Sequence, residues 1–551
     1  MGVRRPQAIP LARLARSRFS LRTFGAALAL AGLLILVAGW FPSPVAEPSG
    51  GIYREGVVGA LPPLDPLAAH AAPIDPDVTP LLYRGLVDVD AHGLAHPGLA
   101  ERWSTSAEDR IYWFVLRSGL HWDDGEPLTS ADVLFSIERA AGTPEADGTP
   151  SFWASVDTWA VDDETIEVML REPLGAFLER AALPIVAAHA PPGSARPASN
   201  GPYAIAEVSP SAVVLERNSA YGGPAPAIDR VEIRLLEGRE AALQALLAGQ
   251  IDGLAGLTPA ERGALASAEG VEVYDVPEYG KYGLLVLNAQ QGVFRDRRAR
   301  QAAARALSRQ ALVASTLQGQ GEPAAGPISP LSWALDPSVE YADYDPAAAR
   351  ALLEQVGQQP ADGGESAPQA IAPPTVTLLT SNARPRGQEA AEVGRQLRAV
   401  GFEVNVLALP PEMLLRDHLK TGDFSAALIG RWLPEVDPDQ FALWHSTQAH
   451  GLGANYGGIN SPELDHWLEL GRRETSVEAR GPAYREFQRV WAAEQPGLLL
   501  YYPHTAYALN RELRGVPADP LPDASWRLRS LPGWSWASER APTGWSWPFK
   551  R

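Results

Sequence analysis

Apolar and polar positions alternate singly over some short stretches of this chain and recur at helical spacing over others. The two kinds succeed one another along the sequence. From Thr165 to Leu170, Ile166, Val168 and Leu170 lie on one side and Glu167 and Met169 on the other, which predicts a half-buried strand. Ile111 to Leu116 is a short apolar run suited to a buried strand. Between them, Thr129-Ser130-Ala131-Asp132 fits a capping box, and Val133, Leu134 and Ile137 follow at helical spacing. Val231, Ile233 and Leu235 predict another strand, followed by a helix over Glu240 to Ala248 with Gly249 as its stop and a strand within Ile251 to Leu257.

The clearest unit runs from Thr375 to Trp432 as strand, helix, strand, helix, strand, with Gly401 and Gly422 at the helix ends. Such alternation implies a parallel sheet and an α/β fold. In its middle strand Phe402, Val404, Val406 and Ala408 share a face expected in the core. On the other face Glu403 and Asn405 give way to Leu407 and Leu409, predicting burial there towards the strand's end. Gln358 to Pro374 reads as an exposed loop. Gly533-Trp534-Ser535-Trp536 recurs as Gly544-Trp545-Ser546-Trp547, either to pack the tail onto a lobe or to contact membrane or partner.

Composition narrows the class. At 551 residues the chain exceeds what one core organises, so two or more lobes are expected. A formal net charge of −18 repels phosphate backbones and argues against a nucleic-acid partner. With no cysteine there are no disulfides, thiolate metal sites or lipid-bearing N-terminal Cys. Arg4, Arg5, Arg13, Arg16, Arg18 and Arg22 precede an uncharged apolar run from Phe24 to Phe41, an export signal that places the chain beyond Phe41 outside the cytoplasm. The run suits a cleaved signal or an uncleaved anchor, and Trp40-Phe41 before Pro42 favours the anchor.

The chain carries no G-x-S-x-G elbow, no H-E-x-x-H and no phosphate-binding loop ending Gly-Lys-Ser/Thr, which disfavours an enzyme. No cofactor is called for. Asp437, Asp439, His445 and His450 are the nearest approach to a metal cluster, without a recognised ligand spacing, and no metal is expected there.

Two stretches carry a resemblance. Leu81-Leu82-Tyr83-Arg84-Gly85-Leu86-Val87 with Leu99-Ala100-Glu101-Arg102-Trp103, and then Phe114 through His121-Trp122-Asp123-Asp124-Gly125-Glu126-Pro127 to Val133, resemble the opening and the signature of family 5 extracellular solute-binding proteins. Asn200-Gly201-Pro202-Tyr203, Leu215-Glu216-Arg217-Asn218, Gly249-Gln250-Ile251-Asp252, Leu287-Asn288, Tyr344-Asp345-Pro346 and Trp432 with Asp437-Pro438 follow in the family's order, so the likeness spans Tyr53 to Val516.

The resemblance implies a two-lobe class C binding-protein fold with an extra subdomain inserted in the first lobe. The expected division is a basic segment 1–23, a signal or anchor 24–41, a spacer 42–51, first lobe 52–92, inserted subdomain 93–199, first lobe again 200–284, second lobe 285–495, and a return with the Trp-rich tail 496–551. It further implies a monomeric, extracytoplasmic component of an ABC importer that binds a small molecule, most plausibly a peptide, and delivers it to the permease transmembrane subunits. A ligand-sensing receptor, or a sugar or nickel-complex binder, would share the fold. Peptide-binding relatives hold the ligand's amino terminus with an acidic residue shortly after the Trp, which points to Glu435 and Asp437, with Trp432 as an apolar wall. Arg384 and Arg386, between the first strand and helix of the parallel unit, suit a ligand carboxylate, and Asn288 stands where the family has an Asn near the lobe crossover.

Overall fold

The computed structural model describes residues 50–59, 64–67, 75–144, 150–190, 193–194, 196–357, 373–383, 385–432, 436–449 and 453–537. The expected signal or anchor, the loop 358–372 and the second Gly-Trp-Ser-Trp copy lie outside them. Among the described residues no helix is long and apolar enough to cross a membrane.

In chain order, β1 (Ile52–Val58) is followed by a hairpin of β2 (Val87–Val89) and β3 (Ala95–Pro97) and then by an antiparallel sheet of β4 (Ala100–Thr105), β5 (Ile111–Leu116), β6 (Asp157–Ala160) and β7 (Thr165–Met169). Next come β8 (Tyr203–Ser209), β9 (Ala212–Arg217), β10 (Arg230–Leu236), β11 (Gly253–Leu254) and β12 (Val271–Pro277). The second half brings β13 (Lys281–Leu287), β14 (Gly321–Pro323), β15 (Thr375–Ser381), β16 (Glu403–Leu409) and β17 (Ala426–Trp432). The long β18 (Gly497–Asn510) and the short pair β19 (Leu513–Arg514) and β20 (Ser535–Trp536) complete the strands.

β18 joins the two halves. Its first residues pair with β13 and its last with β12 and β11, so one strand runs through both parts of a continuous sheet ordered β16-β15-β17-β13-β18-β11-β1-β10-β9-β8. The other crossing is the short link Glu278–Gly280 between β12 and β13, held by Glu278 N–H donating to Pro503 O at 2.9 Å. The chain therefore changes halves at 278–280 and at Tyr502–Pro503. The boundaries implied by the resemblance, 284–285 and 495–496, fall within β13 and just before β18, a few residues from these links.

Each part has its own core. The insert packs Phe114, Trp122, Val133, Ile166 and Phe177 around its sheet. In the β13–β17 half the strands are apolar on both faces. Ala426 and Leu428 of β17 face one core, and Ala427 with partly buried Ile429 face the other, as expected of a sheet covered on two sides.

The strand and helix readings over 111–116, 165–170, 231–235 and 375–432 correspond to observed elements. The capping box forms, Thr129 accepting from Ala131 N and Asp132 returning to Thr129 N. The helix after β10 starts one residue earlier than expected, at Arg239, and β11 covers only Gly253–Leu254. One expectation fails. Val406 is 37% and Leu407 48% exposed, because β16 is the sheet's edge strand and nothing described covers its far end. The first tryptophan motif packs inward, with Trp534 fully buried edge-on against Tyr53.

Candidate functional site

Strand order places the site. β15 pairs in parallel with both β16 and β17, so the chain runs outward to β16 and then returns past β15 to β17. The helix Arg386–Val400 makes the first crossover and packs Ala390, Val393 and Leu397 into one core. The second crossover puts Leu414 and Leu419 into the core on the opposite face. Connections leaving a strand to opposite faces open a crevice at its carboxyl end, the usual ligand position in such sheets. The segment after β15 and the loop after Trp432 both start from that end, so the topology brings Arg386, the Trp432 backbone and Asp437 to the same end of the sheet. Arg384, Glu435 and the Trp432 side chain lie outside the described residues; the Trp432 backbone pairs with Lys281 of β13.

Arg386 reaches beneath the sheet edge. Gly283 and Gly430 face each other across β13 and β17, and both sit under side chains. A Cβ at Gly430 would stand 2.1 Å from an Arg386 nitrogen, and one at Gly283 2.6 Å from the Tyr501 ring. Arg386 Nη1 donates to Glu389 Oε2 and to Tyr501 Oη, each at 2.6 Å. Burial pulls this guanidinium's pKa down, but the Tyr501 and Glu389 partners outweigh it and hold the charge more firmly than usual. Arg386 is thus a fixed guanidinium at this end of the sheet whose charge is balanced by buried Glu389.

Asp437 is heavily committed. Both its oxygens accept from Arg480, at 2.7 and 2.6 Å, in a pair whose side chains are only 6% and 4% exposed. Arg480 also donates to Gly471 O, Gly175 O and Tyr484 Oη. Burial would lower its pKa, and the Asp437 hydrogen bonds and charge raise it above the ordinary value instead. A carboxylate engaged bidentately by a buried guanidinium has little to offer a ligand's amino group.

Asn288 is buried, and its amide donates to Gly422 O at 2.8 Å and Phe424 O at 2.9 Å while its oxygen accepts from Gln290 N. Its polar atoms fix the turn that leads into β17, so it lies at the amino end of β17, opposite the end where β17 leaves for the loop and away from the lobe crossing expected for it, because β13 runs seven residues beyond that crossing. Asp437, Asp439 and His445 are each engaged by other partners. Asp439 lies 3.6 Å from Arg472, and His445 lies 3.2 Å from Glu469 with its ring stacked on Phe441. His450 lies outside the described residues, and among those described no three carboxylate or imidazole groups are grouped to hold a metal ion.

Beside the loop a narrow cavity of about 40 Å³ separates Asp437 and Gln440 from Tyr279, Tyr502 and Pro522. The ring centroids of Tyr279 and Tyr502 lie 4.9 Å apart, edge to face, at the two crossing segments. Sequence reasoning does not find these aromatics, nor Arg480 and Glu179. Each is an isolated residue whose importance comes from long-range packing, and no spacing rule marks it.

Two joined halves, two crossing segments and a crevice between them define a two-lobe binding protein. Solved structures carry the same fold: HbpA2 from Haemophilus parasuis at TM-score 0.76 and 19% identity, covering 88% of this chain and 100% of that one, and the unliganded open form of the murein tripeptide-binding protein MppA at TM-score 0.74 and 22% identity, covering 87% and 96%. The chain belongs to the bacterial extracellular solute-binding proteins, family 5, whose middle-region profile matches residues 95–452. It is similar to the dipeptide-binding protein of Escherichia coli K12, 25% identical over 464 residues covering 77% of this chain and 84% of the relative.

Proposed function

We propose that this protein is the extracytoplasmic peptide-capturing component of an ABC importer and carries out no chemistry of its own. The observation that carries the reading is the topology, which puts the carboxyl end of β17, paired with the start of β13, beside both crossings between the halves, where such sheets bind ligands. A ligand lying there touches one half directly and reaches the other at Pro522 and Tyr279. Contacts on both sides favour the closed arrangement, and closure is the state offered to the two permease subunits.

The proposed division, whose lobe boundaries lie within a few residues of the two crossing links, assigns 52–92, 200–284 and 496–551 to the first lobe, 93–199 to the inserted subdomain and 285–495 to the second lobe. Trp432 supplies an apolar wall, Glu435 meets the peptide's amino terminus, and Arg384 meets its carboxylate. The likeness to proteins named as dipeptide- and oligopeptide-binding supports the ligand class. The basic segment and apolar run before Pro42 export the chain and hold it at the outer face of the membrane.

Native mass spectrometry of the protein purified from its own host tests the assignment. A family of co-purified masses fitting short peptides is expected. A single sugar-like or metal-containing mass overturns the peptide assignment and leaves the fold untouched.

A further inference from the structure

We infer that Glu179, on the inserted subdomain, is a positioning residue for ligand capture: it holds in place the loop that follows β17. The inference rests on the placing of the ligand at that loop. Glu179 Oε1 accepts the Val436 N–H at 2.6 Å and Oε2 accepts the Asp437 N–H at 2.9 Å. One carboxylate bridging two successive backbone donors is a charge-assisted arrangement that fixes direction as well as distance. The partners are more than 250 positions apart in sequence, and no neighbouring stretch of chain brings them together.

Three further contacts bind the same two parts. A Cβ on Gly93, which sits at φ +84°, would stand 3.1 Å from Val436 O. Gly175 N–H donates to Arg472 O at 2.7 Å, and Gly175 O accepts from Arg480 Nη1 at 3.2 Å. Arg480 is the guanidinium that grips Asp437. The loop is therefore held from two directions, its backbone by Glu179 of the insert and its Asp437 side chain by Arg480 behind it.

β17 fixes the chain as far as Trp432 through its pairing with β13, and Glu179 fixes it again at 436. The described chain is thus held at 432 and again at 436–437, so a ligand contacting this loop does not have to order those residues. The inserted subdomain acquires a role in binding through this contact, although it contributes no ligand partner to the proposed site.

Hydrogen exchange of the ligand-free protein tests this directly. Glu179→Ala is expected to raise exchange at the Val436 and Asp437 amides by about tenfold or more while β13, β15 and β17 keep their protection. Glu179→Gln, which keeps one acceptor, is expected to give an intermediate value and guards against a variant that fails to fold. In the same samples, affinity for trialanine is expected to fall in the order wild type, Gln, Ala, with thermal midpoints nearly equal. Unchanged exchange at 436–437 in Glu179→Ala overturns the inference whatever trialanine does. A wild type that ignores trialanine while Glu179→Ala still loosens 436–437 counts against the peptide reading and supports the positioning role.

Discussion

The stretch 117–133 and the loop 432–440 both stand out in the sequence, yet the fold uses them in opposite ways. The first is tied up largely within its own surroundings. Trp122 is fully buried, Gly119 and Gly125 take left-handed conformations in turns, and the Trp122 N–H closes one of them on Glu126 O at 2.8 Å. Thr129 and Asp132 cap a helix, Asp132 also accepts the Ala188 N–H, and Asp123 accepts the Ser199 N–H at 2.6 Å. The second is tied from outside, by Glu179 of the insert and Arg480 of a distant helix. Conspicuous sequence therefore marks where the chain specifies its own local structure. The proposed binding surface lies where distant elements converge.

The carboxylates show the same contrast. In the signature stretch burial would raise the Asp124 pKa, but the His189 contact and the Glu126 N–H hold it below the usual range. In the loop burial pushes Asp439 up, with Arg472 opposing.

If the contrast is right, substitutions in the two stretches separate stability from binding. The largest stability losses are expected from Trp122→Ala and Arg480→Met. The first leaves a cavity costing ~3–5 kcal/mol in the insert. The second strands the Asp437 charge at a similar cost of ~3–5 kcal/mol and also disturbs the loop. Denaturant unfolding checks both, and ligand occupancy in folded protein distinguishes them: Trp122→Ala should retain ligand and Arg480→Met should lose it. Thr129→Ala removes a helix cap and is expected to cost about 1 kcal/mol with binding unchanged. The smallest effect is a pH dependence at Asp439. Because its pKa is raised in the fold, the wild type loses stability as pH rises from the ordinary carboxylate range through the raised value. Asp439→Asn lacks that loss, so its stability relative to wild type should grow with pH across the same window; a difference that shrinks with rising pH contradicts the assignment.

Much of the fold was legible because its signals are local. The capping box at Thr129, the alternation over Thr165 to Leu170 and the parallel unit from Thr375 each depend on neighbours in sequence. The edge position of β16 is a property of the whole sheet, and the burial predicted for Val406 and Leu407 failed for that reason. Residue type and position drew attention to Asp437 and Asn288, but not the partners that absorb them. Arg480 lies more than 40 positions from Asp437, and the carbonyls that bind the Asn288 amide more than 130 positions away.

The central claim is that ligand lies at the carboxyl ends of β15 and β17. It is tested most directly by hydrogen exchange on protein carrying its co-purified ligand against the same protein stripped of it. Protection is predicted at 382–388 and 432–438, with 117–133 unchanged. Ligand-dependent protection confined to 117–133, with none in the two loops, would contradict it.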